Sequence, residues 1–224
     1  MKIRLESYYL HDLIELIEKE LGQDYRVHRE RGMLTMSTPH YAGHGRALDF
    51  SHGMGHFYLD MQLEEDLDIL FDIEQYHPLR FLYCLEGEFF HSGISGRLQH
   101  RVKAGQGIVY ACTRGQEQQI RFPAAQTVKC IGVQIIRHDF IRYRDVSRLP
   151  PEIRAIVQDT QADEPYLQHK AYSNAISLCL MDTVMNNQLG FAGDLLCEAK
   201  ALEILGHQLG EYAAGEESLR SNGN

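Results

Sequence analysis

A chain of 224 residues, 44% hydrophobic and 24% charged, has the make-up of a soluble globular protein and lies outside the disordered, collagenous and low-complexity classes. Its 22 basic side chains face 31 acidic ones, and the formal charge of −9 excludes a protein that grips nucleic acid by itself, because that surface needs clustered Lys and Arg. Five scattered cysteines without a C-x-x-C, a start without an apolar core and the lack of any run of bilayer length lead to an expectation of a reducing, cytoplasmic location with no membrane partner.

From Tyr9 to Leu21 the apolar residues Leu10, Leu13, Ile14, Ile17 and Leu21 recur at three and four, which predicts an amphipathic helix with Gly22 as its stop. A polar stretch rich in Gly and His runs from about Gln23 to Gly55, with one short strand expected around Met33–Ser37. From Gly55 the period becomes two. Phe57, Leu59, Met61 and Leu63 form one alternating run and Leu67, Ile69, Phe71 and Ile73 another; joined across Glu64–Asp66, they predict a hairpin with one apolar and one acidic face. The seven carboxylates between Asp60 and Glu74 read as a solvated outer surface.

Further strands are expected at Leu79–Leu85, Glu88–His91, Arg97–Val102, Ile108–Cys112, Gln116–Phe122 and Thr127–Ile136, separated by glycines and Pro123. Roughly eight short strands of this kind indicate a closed sandwich or small barrel. After Arg137 the helical period returns: one helix opens at Pro150-Pro151, a second spans about Ala171 to Leu189, and a third starts near Asp194 as cap and runs to about Tyr212. The expected organisation is an N-terminal helix with a Gly/His-rich segment (1–46), a β-barrel (47–137), a helical tail (138–214) and a polar linker stub (215–224).

Three segments in this order, Leu85-Glu86-Gly87-Glu88, Lys103-Ala104-Gly105-Gln106-Gly107 and Glu198-Ala199-Lys200-Ala201-Leu202-Glu203-Ile204-Leu205, resemble the cupin sensor domain of AraC-type transcription regulators. The last is similar to a run that precedes the DNA-binding part in the pyochelin-regulator-like branch. The resemblance implies a mainly β, cupin-like jelly-roll barrel with one preceding helix and a helical tail. It implies a small-molecule effector in the barrel, an iron chelate being one class, and a homodimer. AraC-type regulators end in two helix-turn-helix units, and nothing after Tyr212 encodes them, so DNA would be reached only through a segment absent from this chain.

Metal-dependent cupins are the competing class. Their open site takes three imidazoles and a carboxylate from two barrel motifs. With Gly87 as the closing glycine of the first motif, the carboxylate position is Arg80, the histidine positions fall near Ile73–Tyr76, and no His-x-His occurs in the chain. The second motif lines up on Gly107, Thr113, Gly115 and Gln118, with Gln118 where an imidazole would bind metal. Turns kept and ligands lost suggest a binding cavity with no catalytic residue and no cofactor. Candidate wall residues, taken from alternation, are Phe57, Leu59, Met61, Phe81, Tyr83, His91, His100, Tyr110 and Gln118, although alternation alone leaves open which face of each strand points inward.

His40, His44, His52 and His56 fall within seventeen residues and supply the alternative, a metal-binding segment serving a cupin enzyme; interrupting glycines favour a polar loop with solvated imidazoles. In the last helix Leu195, Leu202 and Leu209 recur at seven, Ala199 and Gly206 likewise, and Leu205 and Tyr212 extend the stripe. This suits either a helix-on-helix dimer interface or packing on the protein's own barrel. A stand-alone dimeric adaptor without a ligand is the third class that the sequence leaves open.

Overall fold

The computed structural model describes residues 1–21, 26–30, 33–37, 40–73, 78–93, 99–186, 188 and 190–221. Gly22, His77 and Gly96, along with most of the expected cupin histidine positions, lie outside them. The described residues form thirteen strands and five helices. In order these are β1 (Lys2–Leu5), α1 (Leu10–Leu21), β2 (Arg26–Glu30), β3 (Met33–Ser37), β4 (Tyr41–Phe50), β5 (Met54–Leu63), β6 (Leu67–Phe71), β7 (Leu79–Glu86), β8 (Glu88–Ser92), β9 (His100–Lys103), β10 (Gln106–Ala111), β11 (Gln118–Phe122) and β12 (Gln126–Ile135). The remainder are α2 (Arg137–Tyr143), α3 (Pro151–Gln158), β13 (Tyr166–Ala171), α4 (Asn174–Met185) and α5 (Gly190–Ser221).

Two sheets face each other, one ordered β1-β6-β11-β8-β9 and the other β13-β10-β7-β12-β5-β4-β3-β2. All pairings are antiparallel apart from β1 on β6. The expected cupin-like, mainly β fold with a leading helix and a helical tail is therefore present. One apolar cluster fills the space between the sheets, with Leu63, Leu82, Phe89, Val102, Ile108, Phe122, Val128 and Cys130 at its heart. A second lies outside the larger sheet, where Phe81, Tyr83, Val133 and Ile135 meet Phe140 of α2, Ile153 of α3, Ile176 and Leu180 of α4, and Ala201, Ile204 and Leu205 of α5.

Several expectations need correction. The hairpin across Glu64–Asp66 does not form: β5 pairs with β4 and β12, whereas β6 pairs with β1 and β11, so the chain crosses from one sheet to the other. Alternation marks a buried face without naming its partner. The crossover is pinned by Asp66, whose carboxylate accepts from Ala124 N at 2.8 Å and from the Arg121 guanidinium. The Gly/His-rich stretch holds three strands where one was expected, and β4 runs through the boundary placed at residue 46. Strand β13 replaces the start of the helix expected at Ala171, and β1 and α2 carried too few residues to show a period. Asp194 sits inside α5, which begins at Gly190 and continues to Ser221, through most of the segment read as a linker.

Helix α1 is tied to the barrel at its first turn. Asp49 of β4 accepts from Leu10 N at 3.1 Å and His11 N at 2.9 Å, so a strand residue serves as the cap that the helix lacks locally. Its imidazole contact with His11 Nδ1 at 2.7 Å adds to the tie. Replacing Asp49 by Ala should lower stability by about 1 kcal/mol, the usual loss for an N-cap, and should raise hydrogen exchange selectively at the first amides of α1. Urea unfolding together with exchange mass spectrometry measures both.

Candidate functional site

The larger sheet has a strict parity that decides what lines the lumen. Along β7, Leu82 and Cys84 join the cluster between the sheets while Leu79, Phe81 and Tyr83 join the one beneath the helices. Phe81 and Tyr83, expected in the wall, are thus corrected to the helical layer, where Tyr83 Oη donates to Gln208 Oε1 at 3.1 Å. In place of those two, sequence reasoning should have chosen Arg80 and Leu82. The other expected wall residues lie on the lumen side. Phe57, Leu59 and Tyr110 line the cavity, Met61 packs in the inner cluster, and His91, His100 and Gln118 stand on the facing sheet.

The cavity holds about 50 Å3, room for roughly three or four water molecules. Leu10 and Leu13 of α1 roof it; Phe57, Leu59, Ile69, Phe71, Tyr110, Ile120 and Phe122 form its sides. Gly132 of β12 shapes one wall, because an added Cβ there would lie 1.9 Å from the Phe57 ring. That ring therefore rests directly on backbone.

Two arginines reach this mostly apolar lining: Arg46, which is paired with Asp194 at 2.7 Å, and Arg80. Arg80 is 2% exposed, with its guanidinium carbon 4.1 Å above the centre of the Phe71 ring. Its Nη1 donates to Gln118 Oε1 and its Nε to Gln134 Oε1, both at 3.4 Å, near the long limit for a hydrogen bond. The positions that would supply carboxylate and imidazole to a cupin metal thus do meet in space, as a cation and an amide. A guanidinium cannot usefully coordinate a metal cation, so the first-motif ligand set is chemically wrong for one. Burial lowers the tendency of Arg80 to stay charged, and the neighbouring Tyr110 phenol and Cys112 thiol offset it only in part.

Around Arg80 the other polar groups are held neutral. Burial pushes the Tyr110 phenol up to about 12, against the pull of Arg80. His91 is pushed down to about 3, first by burial and then by His100 and Arg80; its ring centre lies 4.3 Å from that of Tyr110. Neither ring nitrogen of His91 nor the hydroxyl of Tyr110 makes a hydrogen bond of normal geometry.

The four clustered histidines do not form a metal site, which corrects the alternative reading. They are strung along the β4–β5 hairpin: His40 pairs with Glu65 at 3.2 Å, His44 lies against the Tyr58 ring, and His52 stands 3.5 Å from Glu198. His56 is buried on the helical side and pushed down to about 4 by burial and Arg46. The strand geometry sends them to different ends and faces. Among the described residues the group with metal-ligand spacing is Cys179, Glu203 and His207, whose ligand atoms lie within 4.8 Å of one another. Lys200 Nζ already occupies Glu203 at 2.9 Å.

In α5 the expected dimer stripe divides. Leu205 and Tyr212 turn inward, at 4% and 6% exposure, with Tyr212 Oη 3.0 Å from Tyr166 Oη. Leu195, Ala199 and Gly206 are exposed, and Leu202 and Leu209 half-buried. Those five follow spacings of four and three, a seam, whereas Cys197, Ala201, Ile204, Gln208 and Tyr212 form the inward face.

The sequence profile of the regulatory protein PchR N-terminal domain matches residues 42–222, and the chain belongs to that family. It is the regulatory domain of an AraC-type regulator, as the three segments of the sequence led one to expect. No curated protein matches it. Among solved structures it is similar to apo ToxT K231A from Vibrio cholerae, at 10% identity over 77% of this chain and 58% of that one, with a TM-score of 0.43. It is also similar to the Cupin_2 domain of an XRE family transcriptional regulator from Enterobacter cloacae, at 14% identity over 47% and 97% of the two chains and a TM-score of 0.32. A third is the pirin YhhW from Escherichia coli, in complex with nickel(II), at 9% identity over 67% and 56% and a TM-score of 0.35. No helix among the described residues is long and apolar enough to cross a membrane.

The buried imidazoles give a pH dependence with a defined sign. His56 and His91 protonate near 6.5 when exposed but only near 4 and 3 in the fold. Between these values the unfolded chain binds more protons, so stability is full above about pH 6.5 and falls as pH drops, by at most about 1.4 kcal/mol per pH unit for each histidine. Urea midpoints at pH 7, 6, 5 and 4 should decline accordingly, and His91→Phe should flatten that decline by about half.

Proposed function

We propose that this domain is the effector-sensing and dimerising part of its regulator, without catalytic activity, and that it works in the cytoplasm on a small molecule taken into the barrel. The observation that carries the reading is the closed apolar lumen roofed by Leu10 and Leu13. The lumen is small, so a guest larger than a few heavy atoms must lift α1, an element held mainly by its cap at Asp49 and its apolar face. The same strand that caps α1 reaches α5 from its other face: Arg46 Nη2 donates to Asp194 Oδ1 at 2.7 Å. Displacing α1 and β4 would then move the start of the long helix, a change that a guest can drive only if it favours the opened form over the closed one.

Dimerisation is supported by the seam of Leu195, Ala199, Leu202, Gly206 and Leu209, of which Leu195, Ala199 and Gly206 are exposed and Leu202 and Leu209 half-buried. Exposed Phe191 and Leu196 on α5 and Leu178, Met181 and Met185 on α4 add apolar area. A second copy of this chain, seam to seam, is the occupant that a four-three spacing suits. DNA would be reached through the rest of the regulator. The small lumen also favours a second reading, a dimeric adaptor that binds nothing.

Thermal melting against a panel of small apolar and amphipathic metabolites separates the two. Stabilisation by some members, lost in Leu59→Trp because the added ring fills the lumen, is expected; a panel with no effect on the wild type would leave the adaptor. For the dimer, Leu195→Asp with Leu202→Asp should shift the mass in solution from two chains to one without loss of helical signal. An unchanged dimer would remove this seam from consideration.

A further inference from the structure

We propose that the lumen is built for an organic acid, whose carboxylate is held by the guanidinium of Arg80. The inference rests on the effector-binding reading above and names the chemistry of the guest.

Among the described residues three arginines are buried, and two of them have a carboxylate. Arg46 meets Asp194 at 2.7 Å and Arg137 meets Asp159 at 3.1 Å. Arg80 is as deeply buried, yet no carboxylate among the described residues lies within ion-pair distance; its partners are two neutral amides at 3.4 Å, the Tyr110 phenol and the face of Phe71. The chain does not lack acids to put there. Asp60, Asp68 and Asp72 sit on β5 and at the end of β6, the strands that supply Phe57, Leu59, Ile69 and Phe71 to the lumen, but they face outward to Lys129, Gln119 and Arg4. A folded chain that buries a cation without a counter-charge destabilises itself, unless the counter-charge arrives from outside.

The surroundings fit a carboxylate more closely than any other guest. A guanidinium presents its N–H groups in one plane, matching two oxygens side by side, and Phe71 holds that plane. Tyr110, whose phenol already meets Arg80, adds a hydroxyl, and the neutral His91 ring adds one N–H that makes no hydrogen bond of normal geometry. All of these groups can donate. Apart from Arg46, already paired with Asp194, and Tyr58, the rest of the wall is apolar, so it would take a hydrocarbon body. Short acids fit the closed lumen; longer ones need the roof of Leu10 and Leu13 to lift.

The test is a matched series of straight-chain alkanoates, propanoate to octanoate, against the corresponding alkanols, read by thermal melting and calorimetry on the wild type, Arg80→Met and Arg80→Lys. Expected are saturable stabilisation by alkanoates, much weaker effects of alkanols, and affinity for alkanoates about ten- to hundredfold lower in Arg80→Met, with alkanol binding kept. Arg80→Lys should keep part of the alkanoate response. The free Arg80→Met protein should melt higher than the wild type, since an uncompensated charge has gone. Equal binding of alkanoates and alkanols, unaffected by Arg80→Met, would overturn the assignment of charge while leaving the lumen as an effector site. No response to either series would overturn it together with the effector reading. If Arg80→Met does not fold, the comparison of the two series on the wild type decides alone.

Discussion

The larger sheet is covered on both faces, and most of the structure follows from that. Every residue of β7 from Leu79 to Cys84 is buried, as are the last six of β12 and the last five of β10. Such strands cannot present a wet side, so the facing sheet must cover one surface and helices the other. The C-terminal helices are therefore part of the fold's second core, with Tyr83, Tyr212 and Gln208 forming its few polar links. A helical tail bonded in this way is placed to register movement in the barrel wall.

The lumen between the sheets is the less finished of the two cores. It is covered by a helix whose first turn depends on a capping residue from a strand, and it keeps both a void and a charge with no carboxylate among the described residues within ion-pair distance. Charge pairing elsewhere in the chain shows that the fold can bury an arginine beside an acid. Both defects lie at one place. They suit the container for a guest proposed above, and the positions Arg80 and Gln118 carry neither a carboxylate nor an imidazole.

Much of this was legible in the residues. The amphipathic helix, the strands from Leu79 to Ile135, the helical tail and the family likeness all rest on local period and turn chemistry, which act over a few residues. The replacement of two metal-ligand positions was legible too, because it needs only spacing. Misreadings came where a pattern had two physical causes. The runs on either side of Glu64–Asp66 alternate like a hairpin, yet each pairs elsewhere. The glycines of the His-rich segment looked like loop punctuation, but Gly43 and Gly45 lie inside β4, where Gly43 lets the backbone of β5 approach closely.

By itself the sequence determined the class of fold, the leading helix, the strands from Leu79 to Ile135 and the helical tail, since composition, periodicity and spacing are properties of the chain read in one dimension. Only the tertiary structure decided which side of each strand is the lumen, because β7 is apolar on both sides and its parity is set by partners far away in sequence. It also decided that Leu205 and Tyr212 belong to the molecule's own core while Leu195 and Ala199 are exposed, and that Arg80, alone among the buried arginines described, has no described acid within ion-pair distance. Burial and charge pairing depend on what the fold brings near, and no local pattern carries that information.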